Sequence, residues 1–340
     1  MDCPDESDVA AMGAWEVREC PAEEKAKYWE DVQKGMALAG PIQRNVLDGR
    51  WHKLASRLEG AMEGLSTWAV NCYVGLDKTD LWCCGVPTED FSKMVRVVTG
   101  RGTECFQNAP ASAAVKAEVL VRVARAMRTR AGFMTVLMPH HVLLPSAAGV
   151  HAIGAFMCPG FVGRMRRKLR ELRPPTGREP RPCLLQTDPR LCPTDAVALR
   201  PKVLHPGRVD ANYRVLYVPG LENFPLVDAF FFVGAPRRTM VGLQTSTAKA
   251  RRVATGTVRQ FNEQLVEFFN GWEEFARGLS WEIIYVQHAD SVTINAWQEC
   301  GNAGDRASAE DERQRTFWDN EVHQYHVAIS HEDAIAVCSE

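Results

Sequence analysis

A run of about 18 consecutive apolar residues, the length that a membrane-spanning helix needs, does not occur in this sequence. Neither G-x-x-x-x-G-K-[ST] nor a credible G-x-G-x-x-G is present, so no phosphate cradle and no Rossmann turn can be placed, and no ATP site is expected in this chain. Cysteine is plentiful, with 11 in 340 residues, but it lacks pattern. The number is odd, the only close set is Cys83–Cys84, C-x-x-C is absent, and no Cys/His group has zinc spacing. Free intracellular thiols are the expectation. The acidic opening segment has no apolar core of the kind a signal peptide carries. Cys338 is followed by two residues, one short of a prenylation box. An excess of one charge is missing too: 40 Lys and Arg face 42 Asp and Glu, a net charge of −2. No global field therefore draws the protein to nucleic acid or membrane, and any basic surface must be local.

Hydrophobic residues make up 46% of the chain and charged ones 24%, a balance that supports a buried core. The length suits two domains. Residues 1–20 are expected to lack regular structure. Tyr28, Val32 and Met36 place a helix over 23–38, which Pro41 ends. Trp51, Leu54, Leu58 and Met62 form a second helical stripe. A strand fits 94–98, and Val115, Val119, Val123 and Met127 mark a helix over 114–127. Residues 134–158 suit either a buried helix or a strand followed by a helix. After the basic segment 163–173, eight prolines from Pro174 to Pro206 deny both helix and inner strand, and 173–212 reads as an extended linker. The C-terminal domain, 213–330, reads as strands at 214–218, 226–233 and 239–247, a long helix over 258–277, a strand at 281–286 and a last element at 317–329. The helix carries Val258, Phe261, Leu265, Phe268, Trp272 and Phe275 on one stripe, with Thr257 and Gln260 as a capping box and Gly278 as its stop. The fold class is α/β (α+β): a mainly helical region over 21–172 and a βββαβ domain.

Asp228 is the most informative residue. Strand alternation sets it beside Leu226, Phe230 and Phe232, where an unpaired carboxylate would cost on the order of a few kcal/mol. It needs an arginine, backbone N–H groups or a cation. Gln244 and Ser246 lie two apart on the next strand and share a face. A carboxylate and a polar pair on adjacent strands can hold Mg²⁺, or they can form a polar sheet edge bonded to water. Lys249, Arg251 and Arg252 precede a helix N-terminus and suit phosphate, or a solvated basic loop. The run Arg164, Arg166, Arg167 and Lys168 suits nucleic acid, a nuclear-targeting patch or a solvated helix face. His323 and His326 fit one helix face without a third metal ligand. His288 reads as a structural strand-end residue.

The strings VLYVPGLENFPLVDAFFFV, VGLQTSTA and TVRQFNEQLVEFFNGWEEFARGLSWEIIYVQHADS resemble the C-terminal region of trypanosome retrotransposon hot spot proteins. YWEDVQKGMALAGPIQRNVLD and MVRVVTGRGTECF extend the resemblance upstream. It implies a P-loop ATPase region followed by a restriction-endonuclease-like domain, with an acidic residue on the second strand and E-x-K or Q-x-[KST] on the third. Asp228 matches the acidic position, Gln244 the Glu/Gln position, and Ser246 stands where Lys would sit. Loss of Glu and Lys implies weak or absent catalysis unless Lys249 substitutes, with Mg²⁺ as the implied cofactor. The resemblance also implies a nuclear setting and nucleic acid or chromatin as partner. An active Mg²⁺-dependent nuclease and a protein-binding scaffold without catalysis are the alternatives. Absence of the P-loop implies that 21–172 corresponds to the region C-terminal to an ATPase core.

Overall fold

The structure is a computed structural model and describes residues 5–47, 53, 56, 60, 94–99, 106–137, 152–173, 177, 179–246, 252–301 and 308–339. The chain forms two compact units: residues 1–120 with 198–206 and 219–222, and residues 121–197 with 207–218 and 223–340.

In the first unit, α1 (Glu6–Glu16) stands where no regular structure was expected. A reciprocal cap explains it: Asp5 accepts from the Asp8 N–H and the Asp8 carboxylate from the Asp5 N–H, closing two open donors of the first turn. Helix α2 (Ala22–Ala39) packs Val32 against Val9 of α1 and Val46 of the short α3 (Gln43–Val46). Gly40 ends α2 at φ +73°, and a Cβ there would stand 1.7 Å from the Ala111 carbonyl oxygen, so glycine is required. Strands β1 (Val95–Thr99) and β2 (Phe106–Pro110) form an antiparallel pair. Helix α4 (Ala113–Met127) follows, within a residue of its expected start. The stripe from Trp51 to Met62 lies largely outside the described residues.

The second unit is built on a seven-stranded mixed sheet. Along the chain its parts are α5 (Arg130–Leu137), α6 (Pro159–Met165), β3 (Arg170–Leu172), α7 (Leu184–Thr187), β4 (Asp195–Leu199), β5 (Val215–Pro219), β6 (Ala229–Val233), β7 (Thr239–Thr245), β8 (Val253–Ala254), α8 (Thr255–Phe268), α9 (Trp272–Ala276), β9 (Ser280–His288), β10 (Cys300–Gly301), α10 (Ala309–Glu321), β11 (Val322–Ile329) and α11 (His331–Ser339). The order across the sheet is β3-β11-β9-β7-β6-β5-β4, while β8 and β10 pair separately. Strands β5, β6 and β7 are antiparallel neighbours, and β7, β9 and β11 run parallel. The expected succession of three strands, a helix and a fourth strand is present, within a larger sheet.

Three expectations are corrected. The stretch 173–212 is not a linker: Cys183, Leu184, Leu185, Cys192, Ala196 and Leu199 are buried, and β4 forms one border of the sheet. Proline is tolerated because the prolines flank β4 rather than interrupt it. The helix over 258–277 is two helices. Val209 donates its N–H to the Phe268 carbonyl and accepts from the Asn270 N–H, which draws Phe269 into extended backbone and ends α8. Phe269 thereby packs edge-on against Tyr217, Phe230 and Phe232. Helix α8 also starts at Thr255, capped by no side chain, so Thr257 and Gln260 lie inside it. Its buried stripe is Val258, Phe261, Leu265 and Phe268, and Phe261 meets Phe230 and Trp281 of the sheet. Among the described residues no helix is long and apolar enough to cross a membrane.

Candidate functional site

Strand β6 is antiparallel to β7, and β7 is parallel to β9 and β11. The start of β6 therefore lies at the carboxyl ends of the three parallel strands. Helices α8 and α10 begin at that end, because each must return the chain to the amino end of the next strand. In open α/β sheets this is where ligands gather.

Asp228 stands there, one residue before β6. Its N–H donates to the Leu243 carbonyl at 2.8 Å, although Ala229 already pairs with Leu243. Two residues opposite one make a bulge, which re-aims the first side chain. Asp228 is consequently exposed, not enclosed by phenylalanines as alternation suggested. Its Oδ2 accepts from the Thr245 N–H at 2.6 Å and from Thr245 Oγ1 at 2.7 Å. Thr245 is the neighbour of Gln244, and alternation turns the half-buried Gln244 to the other face of β7. Ser246 donates its N–H to the Val286 carbonyl and stays against β9. Lys249 and Arg251 lie outside the described residues, whereas Arg252 is exposed just ahead of β8.

A Mg²⁺ ion asks for near-octahedral oxygen ligation and is usually held by one or two carboxylates together with waters and substrate phosphate. Here one carboxylate oxygen is occupied by Thr245, and alternation points the neutral Gln244 away. Among the described residues no group of three or more His, Cys, Asp or Glu could hold a metal.

The most enclosed charged group among the described residues is one that the sequence did not single out. Glu282, near the amino end of β9 and within its apolar run, has no exposed surface. Its Oε1 accepts from Arg237 Nη2 at 2.9 Å, and its Oε2 from the Cys183 thiol and the Leu184 N–H, both at 3.1 Å. Arg181 approaches to 3.9 Å and donates to Ser280 Oγ at 2.6 Å. Burial raises the Glu282 carboxyl above the usual range, against the downward pull of these donors. The same burial, with Glu282 beside it, pushes the Cys183 thiol up, so it is no nucleophile. The signal in the sequence was a lone glutamate in WEIIYV, with Arg237 legible only as part of a turn.

His323 and His326 are corrected as well: they lie on β11, where a spacing of three puts them on opposite faces. The His323 ring meets Arg181 at 2.9 Å, while His326 pairs in register with Arg170. His288 closes β9 and its ring accepts from the Asp290 N–H, in keeping with a strand-end role. Of the basic run, Arg164 is half-buried in α6, Arg166 and Arg167 are exposed in the turn after it, and Lys168 bonds Asp333 at 2.6 Å.

Comparison with known proteins supplies the rest. No curated protein and no solved structure matches the chain. The family model described as "Retrotransposon hot spot protein, P-loop domain" matches residues 1–173. That is the stretch where the quoted word strings are sparser, and the model it meets is the P-loop domain itself, although the phosphate-loop signature is absent. The match covers half of the sequence, and the chain belongs to the retrotransposon hot spot protein family.

Proposed function

We propose that this chain is a nuclear protein that associates with nucleic acid or chromatin through a degenerate, restriction-endonuclease-like C-terminal domain. Family membership and the succession β5-β6-β7-α8-β9 support the reading. So does the position of Asp228, at the head of the second of these strands and at the ligand-gathering end of the sheet. The observation that carries the degenerate part is the grip of Thr245 on Asp228. A side chain that would coordinate a cation is instead satisfied by its own sheet, and Ser246 stands where a lysine would offset phosphate charge.

The test uses the full chain with a labelled duplex and a labelled single strand. Affinity is measured across a salt series, and cleavage with and without Mg²⁺. The expected outcome is binding that weakens steeply with salt, without Mg²⁺-dependent cleavage. Cleavage that Asp228→Ala abolishes would establish an active nuclease instead. Absence of binding to both probes would leave a protein-binding scaffold.

A further inference from the structure

Arg181 is a half-buried residue in an exposed setting, with Glu179, Pro180 and Pro182 around it open to water. The two prolines have no N–H with which to bond the sheet. Arg181 is their anchor, and it reaches three strands. Its N–H donates to Glu171 Oε2 of β3 at 3.0 Å, and its carbonyl accepts from the Tyr325 hydroxyl of β11 at 2.9 Å. Its Nη2 donates to Ser280 Oγ of β9 at 2.6 Å, and its Nη1 meets Nε2 of the buried His323 of β11 at 2.9 Å.

The last contact fixes a protonation state. A guanidinium has only donors. Nε2 of His323 must therefore accept, so the ring is neutral and carries its hydrogen on Nδ1, which lies 3.7 Å from Glu171 Oε1. A second ring proton could go only to Nε2, the atom that Arg181 occupies. Inside the fold, an imidazolium and a guanidinium in that contact would repel with little screening.

The charged groups around this contact are Glu171 from β3 and, beyond Arg181, Glu282 of β9 with its partner Arg237. Burial holds the Cys183 thiol and the Tyr325 hydroxyl above their ordinary ranges, so both stay protonated near neutrality. Burial also raises Glu282, which makes it the rival site for an incoming proton. His326 lies on the opposite face of β11.

We propose that Arg181 and a proton compete for Nε2 of His323, which makes residues 179–182 a latch, closed at neutral pH and opened by mild acid. The proton comes from water and settles on Nε2. Arg181 then leaves with its bonds to Ser280 and Glu171, and the imidazolium keeps Glu171 as its counter-ion. Leu184, whose N–H is held by Glu282 at 3.1 Å, is the hinge. Because the open form holds one proton more than the closed form, acid favours opening. The latch stands apart from any association with nucleic acid.

The test uses the full chain. Nitrogen NMR of labelled histidine should show His323 with its hydrogen on Nδ1 at about pH 7.5, a point well above the ordinary imidazole value of about 6.5. A hydrogen on Nε2, or on both nitrogens, would overturn the proposal. Amide exchange, corrected for its intrinsic pH dependence, is then followed down to about pH 5.5, still above the ordinary carboxylate range. Protection of the Arg181 amide should fall by up to about tenfold per pH unit below about 6.5, the limit for one proton, while that of Leu184 persists. His323→Gln, whose side-chain carbonyl can accept from Arg181 but takes up no proton, should flatten the Arg181 profile, and Glu282→Gln should not. A flat profile in the parent chain overturns the latch. So does a fall that survives in His323→Gln and vanishes in Glu282→Gln, which would make Glu282 the trigger. Should His323→Gln not fold, the ring spectrum of the parent chain decides by itself.

Discussion

Glu282 and Arg237 meet at 2.9 Å, with the carboxylate wholly enclosed and the guanidinium partly open to water. The pair joins the hairpin between β6 and β7 to the amino-terminal part of β9, and Cys183 and Leu184 bind the same carboxylate from the proline-rich stretch. One side chain thus ties three distant parts of the sequence to the sheet.

The asymmetry of the pair sets the first prediction. Arg237→Met strands a buried charge and should cost about 2–3 kcal/mol, below the range for fully buried pairs because Arg237 reaches water. Glu282 has a folded pKa raised by burial, so it takes up its proton on folding more readily than in the unfolded chain. Its ionisation opposes the fold at high pH, and the opposition fades as pH falls through that raised value. The deficit of Arg237→Met should therefore shrink on going from mildly alkaline pH toward the carboxylate range. That of Glu282→Gln, which has no such proton, should not. Denaturant midpoints of both variants across pH decide the matter, and parallel profiles would refute it.

Asp311 gives an acid-limb prediction. Hydrogen bonds from Thr255 and Ser308 lower its pKa from 3.8 to about 2. The carboxylate joins the start of α8 to the start of α10. Its contribution is present above its ordinary pKa and is lost as pH falls from about 4 to about 2. Thermal melting of Asp311→Asn should run below the parent at neutral pH and converge with it at the acid end of that window. A constant offset would show that the ionised bonds are not the cause.

Cys183 gives a chemical readout of the same neighbourhood as Glu282. Its thiol is buried, raised in pKa, and donates to that carboxylate. Alkylation of the native protein at mildly alkaline pH should reach Cys20, which is partly exposed, well before Cys183. Denaturant should equalise the two. Prompt native labelling of Cys183, located by peptide mapping, would mean that the segment around it opens freely.

Much of the fold was legible because periodicity survives where one face of an element is buried. Helix α2, helix α4 and strands β1, β5 and β7 lie within a residue or two of their expected bounds. The failures share a cause. Asp228 left its expected face because of a bulge, Phe269 broke a helix because a distant backbone paired with it, and β4 formed among prolines because the sheet offered it a neighbour. Each is a decision taken by residues far off in sequence, which local pattern does not record. Asp228 drew attention as a charge in an apolar run. Glu282 fitted the same description and has the deeper burial, but its partners come from separate segments.

The outermost strands of the sheet, β3 and β4, both precede Tyr213, and β3 lies inside the span that matches the family model. Cutting a recombinant piece at the apparent start of the C-terminal half would strip both flanks and leave β11 and β5 as raw borders with unpaired amides. Such borders recruit other chains. A fragment begun near residue 152, ahead of α6, would keep its margins closed, whereas one begun at 213 should emerge from size-exclusion chromatography as aggregate.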